Sequence, residues 1–208
     1  PERLVGIHFF NPVSKMELVE IVRGNKTTEA ICQRACSFVA QIKKLPLPVK
    51  SSPGFLVNRV LMPYLMAAVS LLEEGHAAEQ IDASAKHFGM MMGPVELADT
   101  VGLDVCLAVA ENLVSHFGGH VPTILRDKVK QKHLGRKTGQ GFYAYKKGKP
   151  VKKAVDISDE TDHLIKCLMD PLVQEANACL HEQVVADADL LDAGMIFATG
   201  FAPFRGGP

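Results

Sequence analysis

Two strand-sized apolar runs open the chain: Val5-Gly-Ile-His-Phe-Phe-Asn-Pro-Val13 and Met16-Glu-Leu-Val-Glu-Ile-Val22. The first predicts a strand from Leu4 to Phe10 that ends at Asn11-Pro12, because proline cannot donate to a ladder. Glu20 lies inside the second run, where a carboxylate is costly to bury without a polar partner. His8 is the nearest partner type, and a histidine oriented by a carboxylate is a general acid/base unit that works near neutral pH. On spacing alone, however, a structural histidine beside a salt-bridged glutamate is the favoured interpretation.

Composition bounds the class of protein. The chain of 208 residues is 47% hydrophobic, which is ample for one large or two small domains. Its formal net charge is zero, which argues against a nucleic-acid surface. The five cysteines are scattered, so we expect reduced thiols in a reducing compartment and no metal site. The chain has no initiator Met and ends at Phe204-Arg-Gly-Gly-Pro208, so we expect a segment cut at both ends.

Residues 1–50 predict strand, strand, helix, strand. The helix is expected from Thr28 to Lys43, and a short strand from Leu45 to Val49 carries two prolines and should lie at an edge. This order is typical of the end of an α/β domain. A dinucleotide fold would need a G-x-G-x-x-G turn after a strand, and Gly135 to Gly141 does not fit that spacing or context.

A long helix is predicted next. Ser51-Ser-Pro-Gly should open it with a serine cap, and Gly75 should end it after Glu74. Pro63 lies inside and should kink it. Asn58 falls on the apolar side of this helix, so its amide needs partners; they could be a neighbouring helix or a ligand.

Shorter helices are expected at about 79–87, 94–99, 101–116 and 121–132. The chain is then basic from Arg126 to Lys153 and acidic from Asp156 to Asp192. The basic run could meet cofactor phosphates through Lys137, or it could be a solvated linker attracted to the acidic half.

The C-terminal part repeats the long helix. Pro63-Tyr-Leu-Met-Ala-Ala-Val-Ser-Leu-Leu-Glu-Glu74 lines up with Pro171-Leu-Val-Gln-Glu-Ala-Asn-Ala-Cys-Leu-His-Glu182. Ile81-Asp-Ala83 then pairs with Leu191-Asp-Ala193 after a slip of two residues. A duplicated helical unit predicts that the copies pack on each other as a pseudo-dimer. The second copy has no HFFNPV-like run, so we expect it to support the site without contributing chemistry.

Several motifs resemble those of the L-3-hydroxyacyl-CoA dehydrogenase family, in family order. They are His8-Phe-Phe-Asn-Pro-Val13, Leu18-Val-Glu20, Ser52-Pro-Gly-Phe-Leu-Val-Asn-Arg59, Met92-Gly-Pro94, Val101-Gly-Leu-Asp104 and Lys137-Thr-Gly-Gln-Gly-Phe-Tyr143. The resemblance runs from about residue 3 to 145. From about residue 160 onward the chain is similar to the extension of the multifunctional fatty-acid oxidation enzymes, in which an enoyl-CoA hydratase is fused to the dehydrogenase.

The resemblance implies a mainly α fold. It would be the family's C-terminal helical domain, like that of 6-phosphogluconate dehydrogenase, duplicated and preceded by a βαβ remnant of a Rossmann domain. The implied boundaries are 1–50 for the remnant of the NAD-binding domain, 51–146 for the first helical domain, and 147–208 for a linker and a truncated second repeat.

The resemblance also implies an activity, the oxidation of L-3-hydroxyacyl-CoA to 3-ketoacyl-CoA in fatty-acid β-oxidation, with NAD as cofactor. His8 would be the general base and Glu20 would orient it and stabilise the imidazolium. Asn11 would contact the nicotinamide end of NAD, and Lys137 would reach the cofactor from the helical side. Asn58 would hold the substrate oxygen. Because the family's catalytic serine and NAD-cradling glycines have no counterpart here, we expect this chain alone to be inactive.

Two alternatives stay open at this stage. The isolated chain could be a non-catalytic substrate-cleft and assembly module, or a related helical-domain dehydrogenase acting on other hydroxy acids, although the HFFNPV and LVE runs argue against the latter. The implied partners are upstream Rossmann and enoyl-CoA hydratase domains, a thiolase subunit and a second helical domain. The implied location is the cytoplasm of a bacterium, or otherwise mitochondria or peroxisomes.

Overall fold

Residues 1–156 and 160–208 are described by a computed structural model of the protein, in which they form two compact units. The first unit joins Pro1–Val60 to Glu175–Pro208, and the second is Leu61–Gln174. The mainly helical fold class and its short N-terminal βαβ segment are confirmed. No helix in the described part of the chain is both long enough and apolar enough to cross a bilayer.

The first unit is built on a three-stranded sheet in the order β1-β2-β3, with one helix in the crossover. Its elements are β1 (Gly6–Phe9), β2 (Leu18–Arg23), α1 (Glu29–Gln41) and β3 (Leu45–Lys50). β1 runs antiparallel to β2, and β3 runs parallel to it. Because the strand order is β1-β2-β3, β3 lies at an edge of the sheet, as its prolines predict. The register places His8 opposite Glu20. Opposed residues of an antiparallel pair share one face of the sheet, so these side chains meet.

The two faces of β2 are buried in different ways. Val19 and Ile21 point to α1 and pack against Ala35 and Val39. Glu20 therefore lies on the other face, because side chains alternate along a strand. It is fully buried there.

That other face is covered by the C-terminal helix α8 (Ala188–Thr199), which packs against β2. Gly194 allows the close approach, since a Cβ at this position would lie 2.8 Å from Leu47 Cδ2. Beside β3, the backbone N–H of Lys50 donates to the carbonyl of Val184, 2.7 Å away. The end of the chain thus completes the covering of the first unit's sheet.

The predicted start of the long helix is wrong. Helix α2 spans Val57–Glu73, and Ser51 does not cap it. Gly54 and Phe55 have φ of 74° and 52°, a left-handed conformation that a right-handed helix cannot contain. The predicted end is confirmed, because Gly75 has φ of 98° and the N–H of His76 donates to the carbonyl of Leu71. Pro63 lies inside the helix, as predicted.

The second unit contains the four shorter helices within a few residues of their predicted bounds. They are α3 (Ala78–Phe88), α4 (Pro94–Val101), α5 (Leu103–Phe117) and α6 (Thr123–Lys130). A 3₁₀ turn at Arg136–Thr138 and a hairpin of β4 (Tyr145–Lys146) and β5 (Lys149–Pro150) follow.

Two buried aspartates anchor the loop that carries Lys137. Asp99 accepts hydrogen bonds of 2.9 Å from the backbone N–H groups of Phe142 and Tyr143. Burial raises the pKa of Asp99, and these donors oppose that rise. Asp82 accepts from the hydroxyl of Tyr143 at 2.8 Å. Sequence patterns did not single out either aspartate, because a carboxylate inside a helical sequence is usually exposed.

The repeated segment forms matching helices. α7 spans Thr161–His181 with Pro171 inside it, as α2 contains Pro63, and α8 follows α7 as α3 follows α2. The duplicated order of elements is therefore present. The pseudo-dimeric packing of the two copies stays a prediction, as do the three domain boundaries.

Candidate active site

His8 and Glu20 form a hydrogen-bonded pair at the centre of the candidate site. His8 Nδ1 lies 2.8 Å from Glu20 Oε2, with the imidazole side chain 31% exposed and the carboxylate 0% exposed. A carboxylate can only accept, so this bond places the proton of the neutral ring on Nδ1. Nε2 then carries the lone pair that a general base needs.

The second oxygen of Glu20 has its own partners. Oε1 accepts the backbone N–H groups of Leu56 and Val57, both at 3.0 Å. These are orphan donors at the start of α2, so Glu20 caps this helix from a distant strand. Three hydrogen bonds also compensate for burying the carboxylate. This cap takes the place of the predicted serine cap, and sequence reasoning missed it.

Aromatic rings hold the imidazole of His8 on two sides. Its ring centroid lies 4.8 Å from that of Phe10 and 5.3 Å from that of Phe55. Phe55 is one of the left-handed residues before α2, an unusual conformation for a bulky side chain. Strained residues of this kind cluster at functional sites, where the surrounding structure must hold them.

Asn58 lies in the first turn of α2, directly after Val57. It is half-buried, and among the described residues none forms a hydrogen bond with its side-chain amide. The inter-helix bond that a purely structural role would require is thus not found in the described part of the chain. The amide has donor and acceptor capacity left for a ligand.

Asn11 is exposed just beyond β1, at the start of a loop that one lysine fixes. Lys44 Nζ donates to the carbonyls of Val13 and Met16, each at 2.7 Å. An ammonium shared by two carbonyls is a charge-assisted tie, so the loop after Asn11 has a defined course.

Lys137 belongs to the second unit and is paired there. Its Nζ lies 2.5 and 2.7 Å from the two carboxylate oxygens of Asp104. The hydrogen bond from Lys137 lowers the pKa of Asp104. A phosphate that approached Lys137 would therefore compete with Asp104.

The residues of this chain fit only part of the dinucleotide that the resemblance implies. The start of helix α1 is poorly suited to a pyrophosphate, because Glu29 places a carboxylate in its first turn, where it pairs with Arg23 at 3.0 Å. The turn before it is closed by Thr27, whose hydroxyl accepts from the N–H of Gly24 at 3.0 Å and donates to the carbonyl of Leu4 at 2.5 Å. Asn11 lies exposed beyond the strand that carries His8.

Two family models match the chain. Residues 1–52 match the NAD binding domain of 3-hydroxyacyl-CoA dehydrogenase, and residues 54–145 match its C-terminal domain. The matches follow each other in the family's order with one residue between them. Together they cover more than half of the chain.

Longer proteins are similar over nearly all of this chain. A fatty acid oxidation complex subunit alpha from Idiomarina loihiensis is 39% identical over 100% of the chain, which covers 32% of that relative. The dehydrogenase part of multifunctional enzyme 1 from C. elegans is 32% identical, with a TM-score of 0.66 over 95% of this chain and 49% of that one. A 3-hydroxybutyryl-CoA dehydrogenase from Escherichia coli has the same fold, with a TM-score of 0.83 at 23% identity over 99% of this chain and 63% of that one.

The chain thus spans about a third of the curated relative and about half to two thirds of the solved chains. The HFFNPV and LVE runs that pair His8 with Glu20 lie within the matched NAD binding domain, and Asn58 and Lys137 lie within the matched C-terminal domain. From these two consecutive matches, the chain belongs to the 3-hydroxyacyl-CoA dehydrogenase family.

Proposed function

We propose that this chain supplies the catalytic base and the substrate-oxygen contact of an NAD-dependent L-3-hydroxyacyl-CoA dehydrogenase of fatty-acid β-oxidation. The observation that carries the proposal is the pairing of His8 with buried Glu20, whose other oxygen caps the helix that begins next to Asn58. Support also comes from the family matches and from the relative named as a fatty acid oxidation complex subunit.

The proposed chemistry starts with proton removal. Nε2 of His8 takes the proton of the 3-hydroxyl, and Glu20 stabilises the imidazolium that results. Asn58 donates to the substrate oxygen as its charge changes. NAD, when bound, accepts the hydride that leaves carbon 3. Asn11 would hold the nicotinamide end, and Lys137 would contact the cofactor once released from Asp104.

The wider assembly is part of the same proposal. The relatives include proteins described as a complex subunit and as part of a multifunctional enzyme. We propose an enoyl-CoA hydratase domain and a thiolase subunit as partners, and dimers through the helical domains. We also propose a location in the bacterial cytoplasm, or in mitochondria or peroxisomes.

The test is oxidation of the two enantiomers of 3-hydroxybutyryl-CoA by the complete protein that contains this chain, followed through NADH formation. We expect the L enantiomer to react and the D enantiomer to be inert. A protein that oxidises neither, or only other hydroxy acids, contradicts the proposal.

The second candidate function is a non-catalytic substrate-cleft and assembly module. The closed start of α1 favours it for the isolated chain, because the described residues offer no phosphate cradle there. Turnover of hydroxyacyl-CoA by the complete protein distinguishes the two functions. A non-catalytic module binds hydroxyacyl-CoA but does not oxidise it, whereas a dehydrogenase does.

A further inference from the structure

Arg59 is the buried centre of an ionic cluster in the first unit, whose two carboxylates are partly exposed. Its side chain is 2% exposed, and Nε lies 2.6 Å from Glu175 Oε1. Nη1 and Nη2 donate to the two oxygens of Glu182 at 2.6 and 2.8 Å. This fork is a geometry that only arginine can make, and it joins the first turns of α2 to the end of α7.

The same guanidinium also holds the segment that surrounds the candidate base. Nη1 donates to Ser52 Oγ at 3.1 Å, and the backbone N–H of Arg59 donates to the carbonyl of Gly54 at 3.2 Å. Between these two attachment points and the helix lie Phe55, which contacts the His8 ring, and the N–H groups that bind Glu20. The guanidinium thus ties the segment before the left-handed turn at Ser52, whereas the bond to Gly54 comes from the backbone of Arg59 and does not depend on its side chain.

The aligned helix of the internal repeat lacks this arginine. Arg59 lies four residues before Pro63, and Cys167 lies four residues before Pro171 in the aligned copy. Cys167 is half-buried, and its nearest polar partner is His163 Nε2 at 3.5 Å. The copy without an HFFNPV-like run therefore has a small neutral side chain where the copy beside His8 has the arginine of this cluster.

Joining two helices through the buried guanidinium of Arg59 costs desolvation free energy. The desolvation cost of the charges offsets much of their attraction, and apolar residues often stabilise a fold as well or better. Such clusters instead select one geometry, and a site of proton transfer depends on geometry to within fractions of an ångström. The arginine of the cluster occurs in the copy that carries the proposed catalytic pair.

We propose that Arg59, held by Glu175 and Glu182, is a positioning residue that keeps the turn before α2 against His8 and Glu20. This inference rests on the proposed function, because it assigns Arg59 to the support of that site. It also gives the C-terminal repeat a specific part, since α7 carries Glu175 and the residue after its end is Glu182.

The test is the ring N–H signal of His8 in nitrogen-resolved NMR spectra of the chain. A proton held between Nδ1 and a buried carboxylate exchanges slowly with water, so the wild-type chain should show a protected Nδ1–H. Replacement of His8 by Gln identifies the signal among the eight histidines. We expect Arg59→Met and Glu182→Gln to lose this signal through exchange while the helices stay folded.

Arg126→Met is the matched control, because Arg126 forms an exposed ion pair with Glu111 in the second unit. It should leave the His8 signal unchanged. If Arg59→Met does not fold, Glu182→Gln decides the result, since Glu182 is half-exposed and its substitution leaves no cavity.

The outcomes separate the inference from the proposed function. A protected Nδ1–H that persists in both Arg59→Met and Glu182→Gln overturns the positioning role and leaves the His8–Glu20 base intact. A wild-type chain without the protected Nδ1–H overturns the base assignment itself. Loss of the signal in the two cluster variants, together with its retention in Arg126→Met, supports the inference.

Discussion

At the residue scale, Glu20 supports two elements, because one of its oxygens binds His8 of β1 and the other binds the start of α2. One oxygen fixes the tautomer of His8, and the other binds the first N–H groups of α2. Orientation of His8, the proposed base, and placement of Asn58, the proposed oxygen contact, therefore depend on the same carboxylate. A base and an oxygen-binding group that share one support keep their spacing when the surroundings fluctuate.

His8→Gln in the complete dehydrogenase should lower kcat by about 10²- to 10⁴-fold with little change in substrate affinity. The reason is that proton removal occurs only in the transition state. Steady-state NADH formation measures the effect, and His116→Gln, at an exposed histidine of α5, is the control. A His8 variant that keeps most of its rate would show that His8 is not the base.

Asn58→Ala should lower kcat by about 10²-fold and change KM less, because the lost donor matters most as the substrate oxygen changes charge. Kinetics and thermal unfolding of the same variant are the two measurements. If the variant loses only thermal stability, Asn58 is a packing residue and the assignment fails.

Part of this site could be predicted from residues alone. A glutamate that interrupts an apolar strand needs a polar partner, and a histidine near the end of the neighbouring strand provides one. The His8–Glu20 pairing could therefore be predicted from the sequence. The capping of α2 by the other oxygen of Glu20 could not be predicted from the sequence. Ser51-Ser-Pro-Gly has the composition of a helix start, and only tertiary structure shows that Gly54 and Phe55 adopt left-handed conformations.

At the element scale, α2 is capped by a side chain remote in sequence. Glu20→Ala should lower the free energy of unfolding by about 1–3 kcal/mol, because two buried N–H groups lose their acceptor. Glu20→Gln keeps an oxygen for them, so it should cost less stability while still reducing turnover. Urea unfolding and amide exchange at Leu56 and Val57 are the measurements. Equal losses of stability in the two variants would contradict the cap.

The contact between α2 and α7 should give the protein an acid-sensitive contribution to stability. The hydrogen bond from Arg59 lowers the pKa of Glu182. A lowered carboxyl pKa stabilises the folded state above the ordinary glutamate value of about 4.3, and the benefit is lost as pH falls through the folded-state pKa. Because Glu182 is half-exposed, solvent screening limits the contribution to about 0.2–1 kcal/mol.

The measurement is the difference in the free energy of unfolding between wild type and Glu182→Gln at neutral pH and at about pH 3. The difference should shrink at the lower pH, because the stabilisation that a lowered folded-state pKa gives is progressively lost below the ordinary glutamate pKa. Glu2→Gln, at an exposed position near the N-terminus, serves as the control. A difference that is constant with pH would show that the ion pair contributes nothing to acid sensitivity.

The elements themselves were largely predictable, and their tertiary anchors were not. Helical periodicity identified α3 to α6, and Gly75 marked the end of α2, because these signals are local. Asp82 and Asp99 anchor the Lys137 loop through contacts with residues 43 to 61 positions away. No local pattern distinguishes such a buried carboxylate from one that faces solvent.

At the scale of the whole molecule, the chain combines a hydrogen-bonded His8–Glu20 pair with few groups that could hold a dinucleotide. Dinucleotide affinity depends on a Gly-rich turn and a helix N-terminus beneath the pyrophosphate. The sequence contains no G-x-G-x-x-G, and the start of α1 is closed by Thr27 and the pair of Arg23 with Glu29. The groups that we propose for NAD are Asn11 and Lys137.

This balance predicts that the 208-residue chain by itself does not bind NAD at micromolar concentration. Asn11 and Lys137 supply one hydrogen bond and one screened charge, each worth about 1 kcal/mol, and Lys137 must first leave Asp104. Association costs at least about 4 kcal/mol in lost translational and rotational freedom. Calorimetric titration with NAD measures the affinity, and the complete protein is the positive control. Micromolar binding by the chain alone would mean that a phosphate site lies within these residues, and the role of supplying only the base and the oxygen contact would then be wrong.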